Sequence, residues 1–226
     1  MINIIGPCVI EDLDTTMKVA WHLASLDNRI IFKGSFDKAN RTRIDSYRGV
    51  GIDMGTSILS QVKHETGLRV TTDVHECWQI ERVADVVDVI QIPAMLSRQT
   101  DLLVEAGKTG KIVNIKKGQF MSVSDVGFAV EKVGHNNVWV TERGTQYGRD
   151  LVVDFRNLVG VGVPVIMDCS HTAGRRDMVA RFARAALAFG VDGLFIEVHP
   201  NPDEALCDGV GSVKLDDVGD IIKEIK

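Results

Sequence analysis

Long hydrophobic runs are missing from this 226-residue chain. The longest, such as residues 30–32 and 161–167, fall far short of the roughly 18 to 20 apolar residues that a membrane-spanning helix needs, so a soluble protein is expected. The opening Met1-Ile2-Asn3-Ile4-Ile5 has no basic segment leading into an apolar stretch; no secretory signal is legible, and a cytoplasmic location is expected. Paired cysteines are absent too. Cys8, Cys77, Cys169 and Cys207 form no C-x-x-C motif, and a chain of this size does not need disulfides to hold its core. Nor is there a basic excess: a formal charge of −5 argues against a general nucleic-acid binder, whose affinity rests on a cationic face. No linker or low-complexity tract interrupts residues 1–226, which read as a single domain.

What is present is the composition of a globular domain with a full core, 45% hydrophobic and 25% charged. Apolar, β-rich segments recur at 2–10, 29–36, 68–74, 89–94, 112–117, 138–143, 164–171 and 193–199. Helical spacing falls between them, at 14–26, 43–65, 123–133 and 177–189, and a last helix is expected over 215–226. Alternation without adjacent hairpins implies a parallel sheet, and eight such units predict a closed (β/α)8 TIM barrel. The rival is an open doubly wound sheet, but no G-x-G-x-x-G follows the first strand to mark its dinucleotide site.

Strands buried on both faces should be almost wholly apolar, yet polar residues gather at the C-terminal end of each segment. They are Cys8, Lys33, Asp73 with His75, Gln91, Asn114 with Lys116, Thr141 with Arg143, Cys169 with His171, and Glu197 with His199. A spacing of two puts both side chains on one face of a strand, and the C-terminal mouth is where such barrels carry their chemistry. Any one of these residues could cap a helix or satisfy a neighbour. Eight strands ending alike point to a shared site.

Lys33, Lys38, Arg41, Arg43, Lys116, Lys117 and Arg143 would bring cations to that mouth in a net acidic protein. Like charges gathered together require anions, and the planar fork of Arg suits phosphate or carboxylate. A solvated surface run accounts for Lys117 and Arg43 but not for Lys116 or Arg143. Cys8, His171, Glu197 and Asp208 come from the first, seventh and eighth strands and the loop beyond, which barrel closure makes neighbours. Thiolate, imidazole and carboxylates together suit one divalent transition metal such as Zn, Fe or Mn rather than Ca. On pattern alone Cys8 reads equally well as a small buried hydrophobe. Cys77, Cys169, Cys207, His22, His64 and His135 read as structural, since nothing assembles around them.

The motifs Gly6-Pro7-Cys8-Val9-Ile10-Glu11, Phe32-Lys33-Gly34-Ser35-Phe36-Asp37-Lys38-Ala39-Asn40-Arg41, Thr72-Asp73-Val74-His75-Glu76 and Gln91-Ile92-Pro93-Ala94 extend the argument. So do Asn114-Ile115-Lys116-Lys117-Gly118-Gln119-Phe120, Thr141-Glu142-Arg143-Gly144, Glu197-Val198-His199-Pro200 and Cys207-Asp208-Gly209. Through them the chain resembles, along nearly its whole length, the 3-deoxy-D-manno-octulosonate 8-phosphate synthases, a family of phosphoenolpyruvate-dependent aldol-type synthases. The related 3-deoxy-D-arabino-heptulosonate 7-phosphate synthases share most of these motifs but typically carry Lys-Pro-Arg-Thr where this chain has Lys38-Ala39-Asn40-Arg41.

The resemblance implies an enzyme of lipopolysaccharide biosynthesis, a transferase and homo-oligomer, that joins phosphoenolpyruvate to the phosphorylated aldose arabinose 5-phosphate. It assigns phosphoenolpyruvate to Lys33, Lys38, Gln91, Lys116 and Arg143, the sugar to Asn40, Arg41 and Thr42, and a neighbouring subunit's sugar phosphate to Arg98. It places the chain in the metal-dependent class, with Cys8, His171, Glu197 and Asp208 as ligands. Lys38, Asp73 and His171 are then the expected catalytic groups. Two departures stand out: Thr42 replaces the usual Ser, and after His171 the segment Thr172-Ala173-Gly174-Arg175-Arg176 leads almost directly into a helix where relatives carry a longer Gly-rich loop. The alternatives are heptulosonate synthesis from erythrose 4-phosphate, and a phosphosugar-binding barrel without turnover.

Overall fold

The computed structural model describes residues 1–134, 136–148 and 150–224. Six parallel strands open the chain: β1 (Ile2–Gly6), β2 (Ile31–Lys33), β3 (Arg69–Asp73), β4 (Val89–Ile92), β5 (Ile112–Lys116) and β6 (Val138–Glu142). An antiparallel hairpin, β7 (Thr145–Tyr147) and β8 (Asp150–Val152), follows. Then come β9 (Val165–Asp168), β10 (Gly193–His199) and the short β11 (Val213–Lys214), which pairs beside the end of β10. Strands β1 to β6, β9 and β10 pair in that order, and β10 pairs back onto β1, closing the expected eight-stranded parallel barrel.

The first five strands are each followed by a helix: α1 (Leu13–Leu26), α2 (Ile52–Thr66), α3 (Cys77–Ala84), α4 (Thr100–Lys108) and α5 (Val123–Val133). Their starts are set locally. Asp12 caps α1 by accepting from Thr15 N at 2.7 Å, and α3 and α5 begin with reciprocal capping boxes, Glu76 with Gln79 and Ser122 with Asp125. The crossover from β6 to β9 departs from the alternation, since the hairpin and a 3-10 turn (Phe155–Leu158) take the place of a helix there. After β9 come α6 (Cys169–Ala173) and α7 (Arg176–Phe189), and α8 (Val218–Glu224) packs last.

Alternation along the strands divides the core in two. Side chains facing outward, such as Ile5, Phe32, Val70, Ile90, Val113, Val140 and Ile196, pack with the helices in one large cluster. Ile4, Ile31, Val89, Ile166 and Phe195 form a second, inside the barrel. Two residues further along several strands the same inward face turns polar, as Ile31 gives way to Lys33, Val89 to Gln91, Ile166 to Asp168 and Phe195 to Glu197. The apolar layer is therefore a floor, and the polar layer stands on it at the C-terminal mouth.

Two boundaries differ from expectation for identifiable reasons. Residues 43–51 are not helical. Gly49 and Gly51 adopt φ of 121° and 81°, and Lys38 N donates to Arg48 O at 2.7 Å, tying the segment back across the mouth. The seventh strand stops at Asp168, whose Oδ1 accepts from His171 N at 3.0 Å and so starts α6. Cys169 and His171 are therefore one turn of helix rather than a same-face strand pair. The last helix is preceded by a 3-10 turn over Leu215–Asp217, and His135 lies outside the described residues.

Candidate active site

A cavity of about 280 Å³ opens at the C-terminal ends of the strands. Lys33, Lys38, Asn40, Asp73, Gln91, Lys116, Arg143 and His171, all singled out by sequence, line it together with His75, Gln119 and the Pro93-Ala94-Met95 turn. Thr42 and Arg98 are exposed and lie outside this lining, and Arg41 turns aside toward Cys207.

One wall is a chain of hydrogen bonds running across consecutive strands. Ser35 Oγ donates to Asp73 Oδ2, and Gln91 Nε2 donates to Asp73 Oδ1 at 2.6 Å. Asn114 Nδ2 donates to Gln91 Oε1 at 3.1 Å, and Thr141 Oγ1 to Asn114 Oδ1 at 2.8 Å. Every member is buried, and a satisfied buried network of this kind holds its side chains in one arrangement. Burial raises the Asp73 pKa, but Lys33, Lys38 and His75 outweigh it and hold the carboxyl well below the usual range. Asp73 is thus a fixed anion. Burial lowers the His75 pKa more than Asp73 and Asp37 raise it, and its Nδ1 has no hydrogen-bond partner among the described residues.

The cations differ in what already holds them. Lys33 Nζ reaches Pro7 O at 3.2 Å, Glu197 Oε1 at 3.3 Å and the carbonyl of Cys8, which matches its three donors. It braces β1 and β10 as much as it faces the cavity. Burial would lower the Lys38 pKa, but Cys8, Glu197, Asp73 and Cys207 raise it well above the usual value, so the ammonium form is retained. Lys116 Nζ lies 2.6 Å from Asp168 Oδ2 and 3.9 Å from the centroid of the Phe195 ring, a cation over the apolar floor. Arg143 has no carboxylate within ion-pair distance among the described residues, so its charge is available to a ligand. Arg43 is exposed and paired with Asp45, as a surface charge should be. Lys117 corrects the sequence reading: it is 2% exposed and bonds to Gly118 O, Gly144 O, Thr145 Oγ1 and Glu142, anchoring the turn after β6.

Beside the cavity, His171, Glu197 and Asp208 form one group able to hold a metal ion, and Cys8, Cys207 and Asp208 form a second that shares Asp208. His171 Nε2 stands 3.8 Å from Asp208 Oδ2 and 3.9 Å from Glu197 Oε1, while Cys8 Sγ stands 3.1 Å from the same Asp208 oxygen. Donors bound to one ion at ~2.0–2.3 Å are separated by distances of this order. The other imidazole nitrogen, Nδ1, stands 2.9 Å from Asp168 Oδ2 as an ion-pair contact, which leaves Nε2 to face the carboxylates. Burial lowers the His171 pKa, yet Asp168 and Glu197 outweigh it and raise the net value, and the nearby His171 imidazole holds Asp208 well below the usual carboxylate range. The donors fit a borderline divalent ion. His171 also lines a second cavity, of about 380 Å³, with Ser170, Gly174, Glu197 and residues 208–211.

Sequence reasoning missed Asp168, His75 and Cys207. Asp168 was masked by the expectation that the strand ran on to His171. His75 was noted for its spacing from Asp73 but given no role. Cys207, read as structural, has Sγ 3.1 Å from Cys8 Sγ and 2.7 Å from Arg41 Nη1, so an assembly does form around it. Its position just before Asp208 was the available signal.

The model of the DAHP synthetase I family matches residues 1–226. A 2-dehydro-3-deoxyphosphooctonate aldolase of Syntrophotalea carbinolica is 47% identical over 244 residues, covering 98% of this chain and 88% of its own. Proteins of the same name from Geobacter sp. strain M21 and Geobacter sulfurreducens are 46% and 43% identical, covering 98% and 100% of this chain and 89% and 91% of their own. The Geobacter sulfurreducens match extends over 248 positions against 226 residues here, so that relative holds additional residues inside the matched span.

Proposed function

The chain belongs to the DAHP synthetase I family, and from that premise we propose that it condenses phosphoenolpyruvate with D-arabinose 5-phosphate and water, giving 3-deoxy-D-manno-octulosonate 8-phosphate and inorganic phosphate. The observation that carries this reading is the meeting of Lys38, Lys116 and Arg143 in one cavity beside the group His171, Glu197 and Asp208. The name of the relatives describes a phosphorylated 3-deoxy keto acid of eight carbons. Phosphoenolpyruvate and a five-carbon aldose supply eight, whereas erythrose 4-phosphate would leave the product one carbon short.

In this reaction the C3 of phosphoenolpyruvate attacks the aldehyde carbon, water adds at C2, and the C2–O bond to phosphate breaks. Arg143, with no carboxylate at ion-pair distance among the described residues, and Lys116, over Phe195, would bind the carboxylate and phosphate of phosphoenolpyruvate, with Gln91 and Lys33 fixing the wall behind them. Lys38 keeps its proton and is the donor suited to charge developing on the aldehyde oxygen. Asp73, ionised and with both oxygens engaged, orients the wall and is a poor proton carrier. His75, whose Nδ1 has no hydrogen-bond partner among the described residues, is the better suited of the two to pass a proton.

Cys8, His171, Glu197 and Asp208 would hold one divalent ion, Zn, Fe or Mn. When bound, that ion supplies Lewis acidity, polarising the aldehyde or orienting the water. Asn40 lies at the cavity edge for the sugar, with Arg41 and Thr42 following it on the same loop. Arg98, exposed outside the lining, is available to a neighbouring subunit of a homo-oligomer. A cytoplasmic location fits these phosphorylated metabolites.

The test is phosphate release from phosphoenolpyruvate with arabinose 5-phosphate or erythrose 4-phosphate as acceptor. Faster release with the five-carbon sugar is expected. Preference for erythrose 4-phosphate would make the chain a heptulosonate synthase, and binding of both substrates without release would make it a non-catalytic barrel.

A further inference from the structure

The four metal donors taken from sequence contain a single sulfur, but the structure puts a second beside it. Cys8 Sγ and Cys207 Sγ are 3.1 Å apart, both residues are at least 96% buried, and each cysteine is free of disulfide. Asp208 Oδ2 lies at the same 3.1 Å from Cys8 Sγ. Adjacent residues in extended chain point to opposite sides, so Cys207 and Asp208 can converge on one atom only if the backbone turns between them. It does: Asp208 has φ of 50°, one of two positive values outside glycine among the described residues. That conformation is costly for a residue with a Cβ, and such residues gather where geometry serves a function.

We infer that Cys207 is a second thiolate ligand of the metal, so that this protein holds its ion through the group Cys8, Cys207 and Asp208, with His171 and Glu197 closing on it from the group that shares Asp208. This deepens the proposed function and rests on its metal site. Two thiolates about one ion, each with a bond of ~2.3 Å, stand ~3.8 Å apart at the tetrahedral angle and ~3.3 Å apart at a right angle, so the pair at 3.1 Å has only to open by a few tenths of an ångström to bind together. The added negative charge has a counterpart in place. Arg41 Nη1 lies 2.7 Å from Cys207 Sγ and 3.6 Å from Asp208 Oδ1, and Lys33 compensates Glu197. A thiol that only filled space would leave the guanidinium its longer contact to Asp208 alone, although Nη1 sits nearer to the sulfur. Two thiolates select a thiophilic ion, Zn(II), Co(II) or Cd(II), over the harder Mn(II), and they tie the metal through Arg41 to the loop assigned to the sugar.

The experiment uses metal-free, fully reduced protein, with four free thiols counted after unfolding, titrated with Co(II) and read by the near-ultraviolet thiolate-to-metal charge-transfer absorption. Cys207→Ser and Cys8→Ser are each expected to lose about half of the wild-type intensity per bound ion, and the double variant all of it. Circular dichroism establishes that each is folded, and Cys207→Ala replaces any variant that is not. Intensity unchanged in folded Cys207→Ser but abolished in Cys8→Ser would overturn the inference while leaving the metal site intact. Absence of any charge-transfer band in the wild type would instead sink the metal reading itself.

Discussion

Asp168 Oδ2 stands 2.9 Å from Nδ1 of His171, and the same oxygen lies 2.6 Å from Lys116 Nζ. One fully buried carboxylate thus orients the imidazole that faces the metal donors and neutralises the ammonium that faces the anion cavity. The two halves of the site are built on a single side chain. Asp168→Asn keeps the shape and the cap of α6 but removes the charge. Metal affinity is expected to fall about 10- to 100-fold, as when the partner of a ligating imidazole is lost. Stability is expected to drop by about 3 kcal/mol, because Lys116 is left buried without its anion. Metal titration and chemical denaturation would read the two effects separately; a normal affinity in the folded variant would remove Asp168 from the account.

Arg143 contributes charge to the cavity without serving any protein carboxylate among the described residues. Arg143→Ala should therefore leave the fold intact and act on substrate. Loss of a charge-assisted contact worth about 1.5–3 kcal/mol corresponds to roughly a 10- to 100-fold fall in kcat/KM, carried largely by the KM for phosphoenolpyruvate. Steady-state kinetics check this, and an unchanged KM would contradict the assignment.

Asp73 makes stability depend on acid. Lys33 and Lys38 hold its folded pKa below the unfolded carboxylate value of ~4, so its stabilisation is complete above that value and is lost as pH falls toward the folded one. Thermal melts of Asp73→Asn should show a lower Tm at neutral pH and a shallower decline than the wild type as pH is lowered from about 5 to about 3. Parallel curves over that range would show that the ionised carboxylate stabilises nothing.

Gly6 sets the approach of β1 to β2. A Cβ there would stand 1.9 Å from the carbonyl oxygen of Lys33, so Gly6→Ala must push the strands apart beside the contact of Lys33 with the Cys8 carbonyl. A destabilisation of about 3 kcal/mol is expected, at the upper end for forced overpacking, with weaker metal binding alongside it. A denaturation midpoint within error of the wild type would refute it.

The barrel and most of its mouth were legible because period-two alternation survives in strands whose lower half is apolar and upper half polar: Ile31 with Lys33, Val89 with Gln91, Phe195 with Glu197. What was illegible depended on where strands stop and how loops turn. Asp168 looks like one more strand residue until its side chain is seen to start a helix. Lys117 reads as surface charge beside Lys116, although the turn after β6 buries it. Cys207 carries no pattern of its own, and only the left-handed turn at Asp208 aims it at Cys8. The short connection after His171 was legible and is as compact as expected, α6 passing through Gly174 in the left-handed region to α7.

The most direct measurement is phosphate release from phosphoenolpyruvate with arabinose 5-phosphate, made on protein stripped by a chelator and verified metal-free, before and after Zn(II), Fe(II) or Mn(II) is returned. Negligible turnover is expected in the stripped protein, with recovery on addition of at least one of the three ions. Undiminished release from folded, metal-free protein would contradict the joining of an anion cavity to a metal centre at this mouth.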